Sequence, residues 1–179
     1  MEETKPFKIS KQTVKIAFDR VKANKGTYGI DEQTISDFEV NLKDNLYKIW
    51  NRMSSGTYFP KPVKAVAIPK KNGGTRILGI PNVEDRVAQM VAKIYFESNV
   101  EKIFYEDSYG YRQNKSAIQA VGVLRERCWR KDWVVDFDIT GLFDNIRHDY
   151  LIEMVKRHTE EQWIILYIER WLKTPFKMQ

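Results

Sequence analysis

The residues of this sequence best suited to chemistry are three aspartates, Asp136, Asp138 and Asp144. The first two lie in a short β-branched and aromatic run, residues 133–139, that is typical of a strand. Alternate residues of a strand share a face, so the two carboxylates would lie about 7 Å apart. Such oxygens suit Mg²⁺, which shares its other positions with water and substrate phosphates. The pattern fits phosphoryl or nucleotidyl transfer, and it equally fits a solvated edge strand that binds nothing.

Positive charge is concentrated in one part of the chain. The 179 residues contain 30 Lys+Arg and 24 Asp+Glu, a net charge of +6, but residues 45–83 contain no acid. The cations of this stretch are Lys48, Arg52, Lys61, Lys64, Lys70, Lys71 and Arg76. Such a surface attracts phosphate because binding releases counterions, and the interleaved aromatic residues favour nucleic acid over a merely solvated face.

Periodicity and capping residues predict the elements that would position these groups. We expect a helix capped by Ser10 that ends near residue 24, and a second begun by a capping box at residues 36–39. Residues 63–68 and 76–80 predict a β-hairpin with its turn at 72–74 and a cationic tip at Lys70 and Lys71. Further helices are expected from Asn82 to about 104, from Ser116 to 128, and over 148–158 and 160–172. The whole reads as an α+β fold.

Several protein classes are excluded by composition. A single cysteine, Cys128, cannot form an intramolecular disulfide, and with only two histidines the chain cannot supply a structural zinc site. No apolar run approaches the length of a membrane span, and the amino terminus has no hydrophobic signal region. We therefore expect a cytoplasmic protein, of a bacterial or organellar interior, without a membrane partner.

Three motifs occur in an order that closely resembles the fingers and early palm of group II intron-encoded reverse transcriptases. They are TRILGIPNVEDRVAQ at 75–89, SYGYRQNKS at 108–116 and DFDITGLFDNIRH at 136–148. The early GTYGID at 26–31 resembles the amino-terminal extension of the same family. The resemblance implies right-hand polymerase fingers with an incomplete palm, helix-rich with a β-hairpin and a carboxylate-bearing strand. Residues 1–131 would be mainly fingers, with some palm helix within 83–131, and 132–179 would begin the palm, ending before the second catalytic carboxylate motif.

The resemblance also implies roles for individual residues at the reaction centre. Asp138 matches the aspartate that binds both catalytic Mg²⁺ ions, assisted by the backbone carbonyl of Ile139. Lys70 and Arg76 match cations that contact the triphosphate of the incoming dNTP. Leu142 stands where the family usually has an aromatic residue that blocks a ribose 2′-hydroxyl, and we hypothesise that Phe143 or a shifted backbone preserves that discrimination.

A second group of residues matches the family's contacts to template RNA. It comprises Gly26, Thr27, Tyr28 and Gly29 in the early loop, and Gly110, Tyr111 and Arg112 in the second motif. Glycine would allow close backbone approach, and arginine would pair with phosphate. A packing role for Tyr111 is an equally open alternative.

The resemblance thus implies an RNA-directed DNA polymerase that binds intron RNA, an RNA template with its DNA primer, and dNTP. The family's Tyr-x-Asp-Asp turn, which carries two more metal ligands, is expected beyond residue 179, so the fragment itself should be inactive. Its incomplete palm should favour self-association. The alternatives are an RNA-binding maturase module, or a reverse transcriptase of a related bacterial retroelement or defence system. A metal nuclease would leave the hairpin and Arg112 motifs unexplained.

Overall fold

The computed structural model describes residues 5–70 and 73–178. Within these residues the α-helices are α1 (Lys11–Ala23), α2 (Ile35–Val40), α3 (Leu42–Ser54), α4 (Val83–Val100), α5 (Ala117–Cys128), α6 (Leu142–Asn145), α7 (His148–His158) and α8 (Gln162–Leu172). The strands are β1 (Val63–Pro69), β2 (Thr75–Ile80) and β3 (Phe176–Met178), and a short 3₁₀ helix, Glu101–Ile103, follows α4. This mixed architecture confirms the α+β prediction. No helix of the described ranges is long and apolar enough to cross a membrane.

Polar side chains set the starts of several helices. The Ser10 hydroxyl accepts a hydrogen bond from the Gln12 amide, as predicted for the cap of α1. The capping box of α2 lies two residues earlier than predicted, because Thr34 has an extended backbone and exchanges hydrogen bonds with Asp37. The prediction over residues 36–39 was wrong since Ser36 already lies inside the helix.

The core is built where α1, α3, α4 and α8 pack together. Its largest fully buried side chains include Phe18 from α1, Ile49 and Met53 from α3, and Trp163 and Tyr167 from α8. Each such residue stabilises the fold by about 1.5–3 kcal/mol relative to an exposed side chain. The start of α4 belongs to this core because Val83, Val87, Ala88 and Val91 are all buried.

The sheet has the order β2-β1-β3. The predicted hairpin is confirmed, with β1 and β2 antiparallel and Ile68 opposite Arg76. In the predicted turn, the Lys70 amide donates to the Gly74 carbonyl at 3.0 Å, while Lys71 and Asn72 lie outside the described residues. Strand β3 was not predicted, and it pairs with β1 in parallel, with Phe176 opposite Val63.

The predicted carboxylate-bearing strand is absent from the described part of the chain. Residues 133–139 form neither helix nor strand and are exposed throughout. Strand structure requires hydrogen bonds to a neighbouring strand, and none of the described strands pairs with this segment. Its apolar side chains, Val135, Phe137 and Ile139, are therefore 71%, 88% and 66% exposed.

Candidate nucleic-acid interface

The hairpin carries three cations, two of them on one face. Lys64 lies opposite Ile80 and Arg76 opposite Ile68, so strand alternation assigns Lys64 and Arg76 to the same face, and Lys70 follows β1 directly at the tip of the hairpin. Lys70 and Arg76 are exposed, and neither forms an ion pair with a described carboxylate. The ammonium of Lys61, in contrast, lies 3.5 Å from Asp31 and 3.7 Å from Glu84. The hairpin face thus presents positive charge that the described residues leave unneutralised.

The loop of residues 26–31 contacts this hairpin. The Lys64 ammonium lies 4.3 Å from the centroid of the Tyr28 ring, a cation–π contact, and Lys61 pairs with Asp31. These two contacts bring the predicted template loop beside the predicted triphosphate hairpin. The cationic face and the loop are consequently parts of one surface.

The backbone of the same loop is held by the start of α4. The Asn82 side chain is fully buried, and its Oδ1 accepts a hydrogen bond from the Asp31 amide at 3.4 Å. The Arg86 Nη2 donates to the Thr27 carbonyl at 2.7 Å. Gly29 is buried against Asn82, and a β-carbon there would lie 2.8 Å from the Asn82 Cα. Glycine is therefore required by packing at this position.

Asn82 and Arg86 were not among the site residues predicted from the sequence. Asn82 was expected to cap α4, and it does precede the helix, but its side chain makes no capping hydrogen bond. The signal that could have found both residues is their spacing, because residues four apart lie on the same face of a helix. That spacing alone could not have shown that the loop of residues 26–31 lies against them.

A buried acid lies in the first turn of α4. Asp85 is 3% exposed and accepts a hydrogen bond from the Tyr58 hydroxyl through Oδ1. Burial raises the pKa of Asp85 to about 6, and burial together with the charge of Asp85 raises the pKa of Tyr58. The guanidinium of Arg170 donates to the carbonyls of Gly56 and Tyr58, so the segment before β1 is held from two sides.

Gly110 and Tyr111 are presented to solvent. Tyr111 is 98% exposed and has a left-handed backbone, with φ of 58°, which is uncommon for a bulky residue. Its ring has no described aromatic or cationic neighbour. A β-carbon on Gly110 would have nothing within 4 Å, so the fold of the described residues does not itself require glycine there. Both residues are free to meet a ligand.

Arg112 is occupied within the chain. Its Nε donates to Glu101 at 2.9 Å, Nη2 lies 2.7 Å from the same carboxylate, and Nη1 donates to the carbonyls of Tyr105 and Ser108. The side chain is only 10% exposed. These bonds favour a role in shaping the segment that precedes Tyr111, while a phosphate contact by Arg112 stays a prediction.

The carboxylate segment is open to solvent. Asp136 and Asp138 are exposed, and the Ile139 carbonyl accepts a hydrogen bond from the Leu142 amide at 3.3 Å. Gly141 makes the intervening turn with φ of 60°. Leu142 is 43% exposed, and the neighbouring Phe143 is 83% exposed. The segment therefore offers both a carboxylate and the side chains of the predicted sugar-selectivity position.

The described residues do not form a magnesium site by themselves. The Asp138 carboxylate and the Ile139 carbonyl are hard oxygen donors of the kind that Mg²⁺ prefers. However, no group of three or more His, Cys, Asp or Glu residues that could hold a metal ion occurs in the described ranges. Asp138 and Ile139 could supply only part of the coordination that two ions require.

The reverse transcriptase (RNA-dependent DNA polymerase) family model matches residues 68–179. This match covers most of the chain, so the protein belongs to the reverse transcriptase family. It is 32% identical over 164 residues to the group II intron-encoded protein LtrA of Lactococcus lactis, which covers 90% of this chain and 27% of LtrA.

Two further relatives extend the comparison. The protein YkfC of Escherichia coli is 31% identical over 152 residues, covering 82% of this chain and 40% of the relative. The putative COX1/OXI3 intron 1 protein of Saccharomyces cerevisiae is 28% identical over 163 residues, which cover 90% of this chain and 19% of that protein. The chain is thus related to group II intron-encoded proteins, and it spans well under half the length of these relatives.

Proposed function

We propose that this chain is the fingers and initial palm segment of a group II intron-type reverse transcriptase. Residues 1–131 would be mainly fingers and residues 132–179 the start of the palm. Lys70 and Arg76 bind the triphosphate of the incoming dNTP, and Asp138 with the Ile139 carbonyl contributes to the site for two Mg²⁺ ions. When bound, those ions supply charge neutralisation at the reacting phosphate.

Template RNA is assigned to a neighbouring surface. Gly26, Thr27 and Tyr28, which are exposed, contact its backbone, while Gly29 holds this loop against α4. Gly110 and Tyr111 lie under the templating base. The observation that carries this proposal is the contact between Lys64 and Tyr28, because Lys64 shares the hairpin face of Arg76. Template and dNTP would then meet at one cleft, as template-directed polymerisation requires. The intron-encoded relatives support intron RNA as a further partner.

Binding measurements on the 179-residue chain test this assignment. Radiolabelled dATP with Mg²⁺ would report the triphosphate site in equilibrium dialysis, and a labelled RNA template annealed to a DNA primer would report the template surface in anisotropy. We expect Lys70→Ala with Arg76→Ala to weaken dATP binding and Tyr111→Ala to weaken duplex binding. Lys156→Ala, at an exposed lysine of α7 outside the cationic stretch of residues 45–83, serves as the control. Retention of dATP affinity in the double variant would overturn the triphosphate assignment.

A further inference from the structure

A groove of about 530 Å³ lies between α1 and α3, in a part of the protein that the proposed function does not use. Its apolar lining comes from Leu42, Leu46, Tyr47 and Trp50 of α3. The two leucines and Trp50 are half-buried and pack against the core, while Tyr47 is 54% exposed. The groove therefore offers a preformed apolar surface of the size that receives side chains of a ligand.

Lysines dominate the charged lining of this groove. Lys11 and Lys15 of α1 and Lys43 of α3 face a single acid, Asp44. Lys15 is already paired with Asp19 on its own helix, whereas Lys11 and Lys43 form no ion pair with a described carboxylate. The groove consequently combines an apolar lining with uncompensated positive charge, which selects a ligand that is both apolar and acidic.

Of the two aromatic residues that line the groove, Trp50 is poorly disposed to stack on a base. The ammonium groups of Lys5 and Lys11 lie 3.8 and 4.2 Å from the Trp50 ring centroid, and the indole N–H donates to the Ile9 carbonyl at 2.8 Å. A base stacking on this ring would have to displace those ammonium groups. The cations lining the groove are lysines and include no arginine, so none offers the planar fork that grips phosphate bidentately.

We propose that this groove binds an acidic amphipathic helix of a partner protein. Apolar side chains spaced three and four residues apart enter between Leu42, Leu46 and Tyr47, and flanking carboxylates pair with Lys11 and Lys43. The inference rests on the groove alone and stands independently of the polymerase assignment. Its ligand is a protein segment with Leu, Ile or Phe on one face and Glu or Asp on the borders of that face.

A designed helical peptide tests the proposal with the 179-residue chain. The probe is a labelled peptide with Leu on one face and Glu on the other. The comparison peptides replace every Glu by Lys, or every Leu by Ser. We expect the acidic Leu peptide to bind at micromolar concentration, and each comparison peptide to bind at least roughly tenfold more weakly in anisotropy titrations. Lack of binding of the acidic peptide at about 1 mM would overturn the proposal.

Charge reversal at the groove provides the matched control. Lys11→Glu with Lys43→Glu should weaken acidic-peptide binding by roughly tenfold and shift preference toward the Lys peptide. Lys48→Glu reverses a charge on α3 outside the groove and should leave the affinity for the acidic peptide unchanged. Circular dichroism of each variant would establish that the fold is retained. An equal loss in Lys48→Glu would contradict the proposal. The proposal would also be overturned if the acidic peptide did not bind and single-stranded RNA or phosphatidylserine vesicles bound instead in a way that requires Lys11 and Lys43.

Discussion

The backbone of Asn82 leaves no room for a β-carbon on Gly29: that atom would lie 2.7 Å from the Asn82 nitrogen and 2.8 Å from its Cα. Both Asn82 atoms belong to the main chain at the start of α4, so they cannot relieve the clash by a change of rotamer as a side chain would. The loop of residues 26–31 can therefore lie against the helix only with glycine at this position.

Gly29→Ala should lower the free energy of unfolding by about 1–3 kcal/mol, because the loop must move away from α4. Urea denaturation of the 179-residue chain would measure the change. Gly110→Ala is the matched control, since an added β-carbon there has nothing within 4 Å, and we expect a change within about 0.5 kcal/mol. Equal stability of the two variants would contradict the packing argument.

Gly110→Ala also tests the predicted template contact separately from folding. The methyl group fits the described protein, so any loss of affinity would come from the ligand that approaches the backbone. We expect roughly tenfold weaker binding of an RNA template–DNA primer duplex, corresponding to about 1.4 kcal/mol. Anisotropy titration at fixed salt would measure it. If the affinity for the duplex stayed the same, Gly110 would have no place in the template surface.

The buried acid Asp85 should make stability depend on pH. Its pKa is raised from 3.8 to about 6 in the folded chain, so the folded state holds the proton more tightly than the unfolded state. The resulting stabilisation is fully present below the unfolded pKa, near pH 4, and is lost as the pH rises through about 6. Two pKa units correspond to about 3 kcal/mol as an upper value.

Asp85→Asn would isolate this contribution. The difference in unfolding free energy between the variant and the parent should change between pH 4 and pH 7, as measured by urea denaturation across that range. Asp37→Asn provides the comparison, because hydrogen bonds from Thr34 lower the pKa of Asp37. The stabilisation from Asp37 is lost only as the pH falls below about 4, so its difference should stay nearly constant between pH 4 and pH 7. A constant difference for Asp85→Asn would show that the carboxyl is not buried in the way described.

The 179-residue chain alone should not extend a primer. Two Mg²⁺ ions repel each other and need several carboxylates, and the described ranges hold no group of three metal-ligating residues. A primer-extension assay with Mg²⁺, dNTP and an annealed RNA template would test this, with a full-length reverse transcriptase as positive control. Extension that Asp138→Asn abolishes would show that the chain assembles a complete metal site.

The exposed apolar segment of residues 133–143 should cause self-association. Trp133 and Phe137 are 89% and 88% exposed, so contact between two copies would remove apolar surface from water. Light scattering should detect a mass that rises with concentration, and Phe137→Ser with Val135→Ser should reduce it. Val40→Ser, at a residue that is 79% exposed on α2, is the control. A monomer at every concentration would refute the prediction.

Local signals were sufficient for the hairpin and most helices. Ser10, the run 63–68 and the turn glycines act on immediate neighbours, and the structure follows them. Elements that depend on a distant partner were not predicted correctly. Residues 133–139 have the composition of a strand, but no described strand pairs with them. Strand β3 is only three residues long, and its pairing with β1 joins residues that are far apart in the sequence. The hydrogen bonds by which Asn82 and Arg86 hold the loop of residues 26–31 could not be predicted either, because they form only once that loop lies on α4.

The contribution of α8 to the core has a consequence for how the protein is made. Trp163, Ile164 and Tyr167 are buried with Phe18 and Met53, and the Tyr167 hydroxyl donates to the Met53 carbonyl at 2.6 Å. The amino-terminal helices emerge from the ribosome more than a hundred residues earlier, and they cannot close their core until α8 follows. During that interval the nascent chain carries uncovered apolar helix faces, which makes it a natural client for chaperones during translation.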